Sequence, residues 1–199
     1  MMEVKRYSPL KAALRIMLTS GTEYRGRDVV SVPFYDTSAI VCARLQDGKT
    51  SILRRSALRE LAVSPETVYL DALANYDILD IRFRKAKKGD DWYSKDIPVY
   101  TLTTEEIVNG AALILTAELY KIAELMDDDL FAFLKDPNVI GLVRTSDGEA
   151  AKEYARAYTK LGRLSQVVGE PFVSVQGLRV DRNAKQMYPW ELQTPIYKS

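Results

Sequence analysis

The densest run of chemically capable side chains in this sequence is basic: Arg82, Arg84, Lys85, Lys87 and Lys88, followed closely by Trp92 and Tyr93. Cations interleaved with aromatic rings suit a phosphodiester chain, charge meeting its phosphates and flat rings its bases. Five such cations on a duplex would make log affinity fall against log salt with a slope of about −4.5, at roughly −0.9 per contact. The same stretch holds Asp90, Asp91 and Asp96, which offset the lysines and equally describe a solvated loop.

Carboxylates form the second group. Asp127-Asp128-Asp129 invites a divalent cation, but adjacent carboxylates on a helix end do not converge on one ion, and the D-x-[DN]-x-[DN]-G calcium loop is missing. At a helix C-terminus they oppose the dipole, so the run reads as a helix stop and a solvated turn. Glu105-Glu106 with Glu118, or Asp77 with Asp80, would suit acid/base work only at a separation that sequence does not give. Lys49, Lys121, Lys152 and Lys160 sit in polar contexts, without the burial that makes a lysine nucleophilic. Cys42 lies in an alternating apolar run with Arg44 as its one cationic neighbour, and reads as a small buried hydrophobe. The chain has no histidine and this single cysteine, which excludes imidazole-based triads, histidine zinc sites, CxxC pairs and internal disulfides. Neither GxGxxG nor a Walker A loop occurs. No catalytic, cofactor-binding or metal-ligating residue is therefore singled out, and no cofactor is expected.

These residues need elements to position them. Ser8-Pro9 and Gly21 predict an amphipathic helix with Leu10, Leu14, Met17 and Leu18 on its apolar stripe. Val29–Tyr35, Ala39–Leu45 and Thr50–Leu53 read as strands, the last two joined at Asp47-Gly48, with Pro33 best placed at an edge or bulge. A short helix over Ser56–Ala62 precedes one opened by Ser64-Pro65-Glu66 and reaching about Tyr76, with Val68, Tyr69, Ala72, Leu73 and Tyr76 facing inward. Ile81–Arg84 reads as a strand, residues 85–96 as the most loop-like segment, and Val99–Leu102 as the next strand. After Asn109-Gly110 come a strand over Ala111–Leu115 and a helix capped by Thr116, bearing Leu119, Ile122, Ala123 and Met126. Strands Leu130–Leu134 and Val139–Val143 flank an Asp136-Pro137-Asn138 turn. Ser146 with Glu149 forms a capping box for a helix to about Val168 that buries Ala151, Tyr154, Ala155, Tyr158 and Leu161. Phe172–Val180 and Gln186–Trp190 close as a hairpin across Arg182–Lys185.

Strand pairs separated by helices predict an α+β fold with a mainly antiparallel sheet. The 199 residues form one domain, or two small lobes over 1–84 and 97–199 that share a core and are joined by the polar loop 85–96. Lys+Arg 28 against Asp+Glu 27 is nearly balanced, which argues against a protein that coats nucleic acid. Lys11 and Arg15 interrupt the N-terminal apolar residues, unlike a secretory leader, and the longest apolar run is far short of the roughly 20 residues of a spanning helix. The cytoplasm is the expected compartment, with no membrane contact.

The order of motifs resembles the YtpQ-like bacterial proteins of unknown function. The stretch TSILRRSALRELAVSPETVYLDALANYD is similar to the part of that family where a strand leads into a short helix, a turn and a helix with an ALEN-type end. VYTLTTEEIVNGAALILTAELYKIAELMDDDLFAFLKDPNVIGLVR is similar to its "YxLTN…NGA" segment, the helix after it, and its "DLYxLPSS" and apolar strands. FVSVQGLRVDRNAKQMYPW looks like its closing hairpin, so the likeness spans about residues 28–190. Ala62 stands where relatives tend to carry Trp-Gly, and Lys135-Asp136-Pro137 replaces "PSS". The resemblance implies a fold and brings no activity.

The leading expectation is a non-catalytic protein that binds another protein or a second copy of itself, with Tyr154, Tyr158 and small alanines offering an interface helix. A carboxylate- or lysine-based enzyme with a cleft between the halves is the alternative. A nucleic-acid binder working through residues 82–93 is the second.

Overall fold

Among the described residues two antiparallel sheets and five α-helices, seen in a computed structural model, make this an α+β protein. The structure describes residues 2–20, 28–34, 38–47, 49–75, 81–104, 117–136, 139–157 and 177–189.

The first sheet is built on β3 (Ser38–Gln46). One edge of β3 takes β1 (Leu14–Ser20); the other takes β2 (Ser31–Phe34) and β4 (Lys49–Ile52) end to end. The three backbones meet at Cys42, whose N–H donates to the Val30 carbonyl at 2.9 Å and whose carbonyl accepts from the Leu53 N–H at 2.9 Å. Pro33 lies in β2, an outer strand, where a missing N–H costs nothing.

The N-terminal expectation is corrected. The helix α1 spans Met2–Ala13 with Pro9 inside it, and Leu14 onward is strand, not helix. Leu14 fits a helical stripe with Leu10 and Leu18, but it also shares one face of a strand with Ile16. Pairing with β3 decides, because it buries both completely and satisfies the backbone of both strands.

α2 (Arg55–Glu60) and α3 (Pro65–Ala74) follow β4. Ser64 caps α3 as its sequence indicates, its Oγ accepting from the Thr67 N–H at 3.1 Å. Val68 and Ala72 are buried, Tyr69 and Leu73 half-buried; Tyr76 lies outside the described residues. Tyr7 Oη donates to Asp71 at 2.7 Å, and Lys11 pairs with the same carboxylate at 2.7 Å, tying α1 to α3.

The second sheet runs β10-β9-β7-β8-β6-β5, all antiparallel. Its strands are β5 (Ile81–Lys85), β6 (Tyr100–Thr104), β7 (Leu130–Asp136), β8 (Val139–Arg144), β9 (Leu178–Asp181) and β10 (Gln186–Pro189). Because β5 pairs with β6, residues 86–99 connect neighbouring strands of one sheet and do not bridge two lobes. α4 (Glu118–Met126) packs beside β9, and α5 is described over residues 148–157.

The capping box expected at Ser146 does not form. Residues Thr145–Asp147 make a 3-10 turn, and Ser146 Oγ donates to Asp128. Tyr158, Leu161 and the strand expected over Ala111–Leu115 lie outside the described residues.

β7 and β8 are apolar on both faces, as LFAFL and VIGLV suggest. Leu130, Leu142, Leu102 and Val180 join Leu14, Ile16 and Cys42 of the first sheet, together with α3 and α4, in one buried cluster. On the opposite face Phe131, Phe133 and Val143 pack under Ala151 and Ala155 of α5 and under the connection that follows β5.

Candidate functional site

β5 reads IRFRK, and period two puts Ile81 and Phe83 toward the main core and Arg82 and Arg84 on the exposed side. Phe83 stacks on Tyr100 with ring centroids 5.5 Å apart and planes 13° from parallel. Beyond Lys85 the chain leaves the strand, the Ala86 N–H donating to the Val99 carbonyl at 2.8 Å. A turn follows, closed by the Asp90 N–H on the Lys87 carbonyl at 2.9 Å. Gly89 has φ +101° there, a conformation that side chains resist. The Asp90 carboxylate accepts from the Lys87 N–H at 2.8 Å and pairs with Arg84, so the guanidinium holds its carboxyl below the usual carboxylate range.

The chain then dives inward. Trp92 is 9% exposed, its indole lying 5.8 Å from Phe133 and directly over Gly141. Tyr154 on α5 donates its hydroxyl to the Trp92 carbonyl at 2.6 Å, and its ring meets Phe133 edge-on at 5.8 Å. Ile97 and Val99 are buried beside Trp92. The segment read as loop-like is thus a flap sewn to the sheet by its apolar residues, with its lysines left on the outer rim.

A cleft of about 250 Å³ opens at the base of this flap. Ala86, Ile97, Pro98 and Val99 form its apolar part; Lys85, Tyr93, Ser94, Lys95 and Asp96 complete the lining. Residues 82–96 carry six Lys or Arg against three Asp, a net +3, where the whole chain carries only +1. Asp90 is already spent on Arg84, while Lys85, Lys87, Lys88 and Lys95 make no ion pair among the described residues. Any anion approaching this end of the sheet meets uncompensated ammonium groups.

The basic and aromatic residues singled out in the sequence therefore separate by role. Arg82, Lys85, Lys87 and Lys88 stand outward, Arg84 is neutralised, and Tyr93 is 42% exposed on the rim. Trp92 is corrected: a ring packed between a flap and a sheet has no face to offer a base. Tyr154 is also turned to packing, pinning the flap, and Tyr158 is outside the described residues. Ser94 and Lys95 drew no attention in the sequence, and Asp96 only as an offset to the lysines; Trp92, Ile97 and Val99, apolar residues set within a polar stretch, were the signal that the loop is half-buried.

The other candidate groups are engaged structurally. The three aspartates diverge: Asp127 pairs with Arg182, Asp128 accepts from Thr145 Oγ1 at 3.0 Å and from Ser146, and Asp129 accepts from Arg179 at 2.8 Å and the Arg182 N–H at 3.0 Å. They latch the end of α4 to the start of α5 and to the β9–β10 hairpin. Among the described residues no group of three or more His, Cys, Asp or Glu gathers as metal ligands. Lys121 pairs with Glu118 and Lys152 with Glu149; Lys49 is exposed. Asp77, Asp80, Glu105, Glu106 and Lys160 fall outside the described residues. Cys42 is 2% exposed, and burial pushes its thiol up to about 12, leaving almost no thiolate at neutral pH. Among the described residues no helix is long and apolar enough to cross a membrane.

The chain matches no family model, no curated protein and no solved structure.

Proposed function

We propose that this is a non-catalytic, cytoplasmic binding protein that engages another protein through the flap over residues 86–99. The observation that carries this reading is the flap's construction: an anchored backbone with four exposed lysines that make no ion pair among the described residues, two of which, Lys85 and Lys95, line a cleft with an apolar interior. A surface held in place before contact loses little freedom on binding, so its charges and shape translate efficiently into affinity. Binding is favoured over bond-making here by the state of the reactive groups. Asp71, Asp90, Asp127, Asp128, Asp129 and Asp147 are each committed to a cation or a hydroxyl within the fold. Kinship with the YtpQ-like proteins, read from residues 28–190, would be compatible with this role and supplies no activity of its own.

The test compares wild type with Lys85→Glu/Lys87→Glu/Lys88→Glu as immobilised baits in lysate of the source organism. Proteins held by wild type and released by moderate salt should be missing from the variant, whose far-UV spectrum should be unchanged. Identical retention by both baits, or no protein retained by either, refutes the reading.

A further inference from the structure

The structure assigns an occupant to the cleft: an acidic linear segment of a protein partner, one apolar side chain seated inside and its flanking carboxylates on the lysine rim. This rests on the binding reading above and makes it chemically specific.

Size comes first. About 250 Å³ is below the roughly 300–1,000 Å³ typical of small-molecule pockets, and suits a single side chain better than a cofactor. The interior supplied by Ala86, Ile97 and Val99 is apolar, so the group that enters should be apolar too. Charge comes second. The rim cations are lysines, which act as mobile point charges and tolerate carboxylates at varied positions along a chain. No arginine is among the described residues that line the cleft, and the neighbouring Arg84 is held by Asp90, so the guanidinium fork that would grip one phosphate is missing there. Aromatic supply comes third. A single-stranded nucleic acid needs successive rings to stack on, and with Trp92 buried, Tyr93 is the one aromatic lining the cleft.

Fluorescence anisotropy of the full chain decides, using four fluorescein-labelled probes. They are a ten-residue peptide with a central Phe flanked by Glu, the same peptide with Ser for Phe, the same with Gln for Glu, and a ten-nucleotide oligo-dT. The Glu–Phe peptide should bind, and its affinity should fall with added salt. The Gln and Ser peptides should each bind at least about fivefold more weakly, and Lys85→Glu/Lys95→Glu should weaken the Glu–Phe peptide by about tenfold or more. Lys95→Gln, which only removes charge, should fall between wild type and the double variant. Equal binding of the Gln and Glu peptides, no binding of either, or tighter binding of oligo-dT overturns the assignment. If the lysine-dependent retention of a protein from lysate persists in that case, the binding reading survives and only the acidic occupant is lost.

Discussion

Thr101 is the single buried side chain whose polar atom lacks a partner among the described residues: it is 2% exposed and its Oγ1 makes no hydrogen bond. A hydroxyl stripped of water and left unpaired costs about 1–3 kcal/mol, so removing it should help. Thr101→Val keeps the branched shape and should raise the urea midpoint, by about 1 kcal/mol of stability; a lower midpoint would show that the hydroxyl is satisfied in solution. Asp129 is the opposite case, a carboxylate with two donors. The Arg179 guanidinium and then the Arg182 amide hold its carboxyl below the ordinary value, so the folded chain releases that proton more readily than the unfolded one. Its stabilisation is complete above the unfolded pKa of roughly 3.9 and is lost as pH falls through the lower folded value. Asp129→Asn should therefore cost about 1 kcal/mol at pH 6, solvent access keeping it at the low end for charge-assisted bonds. The gap from wild type should narrow at pH 3; a gap of constant size would mean the charge contributes nothing.

At the scale of elements, the flap depends on a glycine it does not contain. A Cβ at Gly141 would fall 2.5 Å from the Trp92 ring and closer still to Phe133, a distance that atoms do not tolerate. Gly141→Ala must push the indole off β8, costing about 1–3 kcal/mol by overpacking and loosening residues 86–99. Tyr154→Phe removes the bond to the Trp92 carbonyl and should cost about 1 kcal/mol without displacing the ring. Trp92 emission, read in a Trp190→Phe background, should shift red in the glycine variant and barely move in the tyrosine one. Unshifted emission in both would mean that Trp92 is not held as described. This flap also shows where sequence stops being informative. Ser64-Pro65 marks its helix correctly because a cap is a local bond, and the Arg182–Lys185 turn is legible for the same reason. Ser8-Pro9 misleads because β1 is decided by its pairing with β3, whose partner residues lie 18 to 30 positions further along the chain. The Asp-rich end of α4 is legible as a helix stop, yet its partners Arg179, Arg182 and Ser146 come from elements that local pattern cannot bring near. Trp92 is the sharpest instance: its burial is set by Gly141 and Phe133, so a ring that looked available for stacking is spent on positioning the lysines around it.

Across the whole molecule, the two sheets share no strand, and what joins them is side-chain burial. Leu14 and Ile16 of the first sheet belong to the same buried cluster as Leu102, Ile140, Leu142 and Val180 of the second, with Val68, Ala72, Leu119 and Ile122 among them. Unfolding either sheet alone would strip that cluster of part of its lining and expose the remainder to water, at about 25 cal/mol for each Å² of apolar surface. Neither half should therefore melt by itself. The second core is different in kind, since its residues all come from the second sheet, α5 and the flap, so it can loosen without disturbing the first sheet. Two substitutions separate these cases. Ile140→Ala empties a fully buried site in the shared cluster and should cost about 2–5 kcal/mol. It should lower the urea midpoints seen by far-UV circular dichroism and by Trp92 emission equally, because both sheets fail together. Gly141→Ala, one residue along the same strand but facing the second core, should let Trp92 emission change before the far-UV signal does. If Ile140→Ala splits the transition into two steps, the sheets are separate folding units, and the shared cluster is only an area of contact between them.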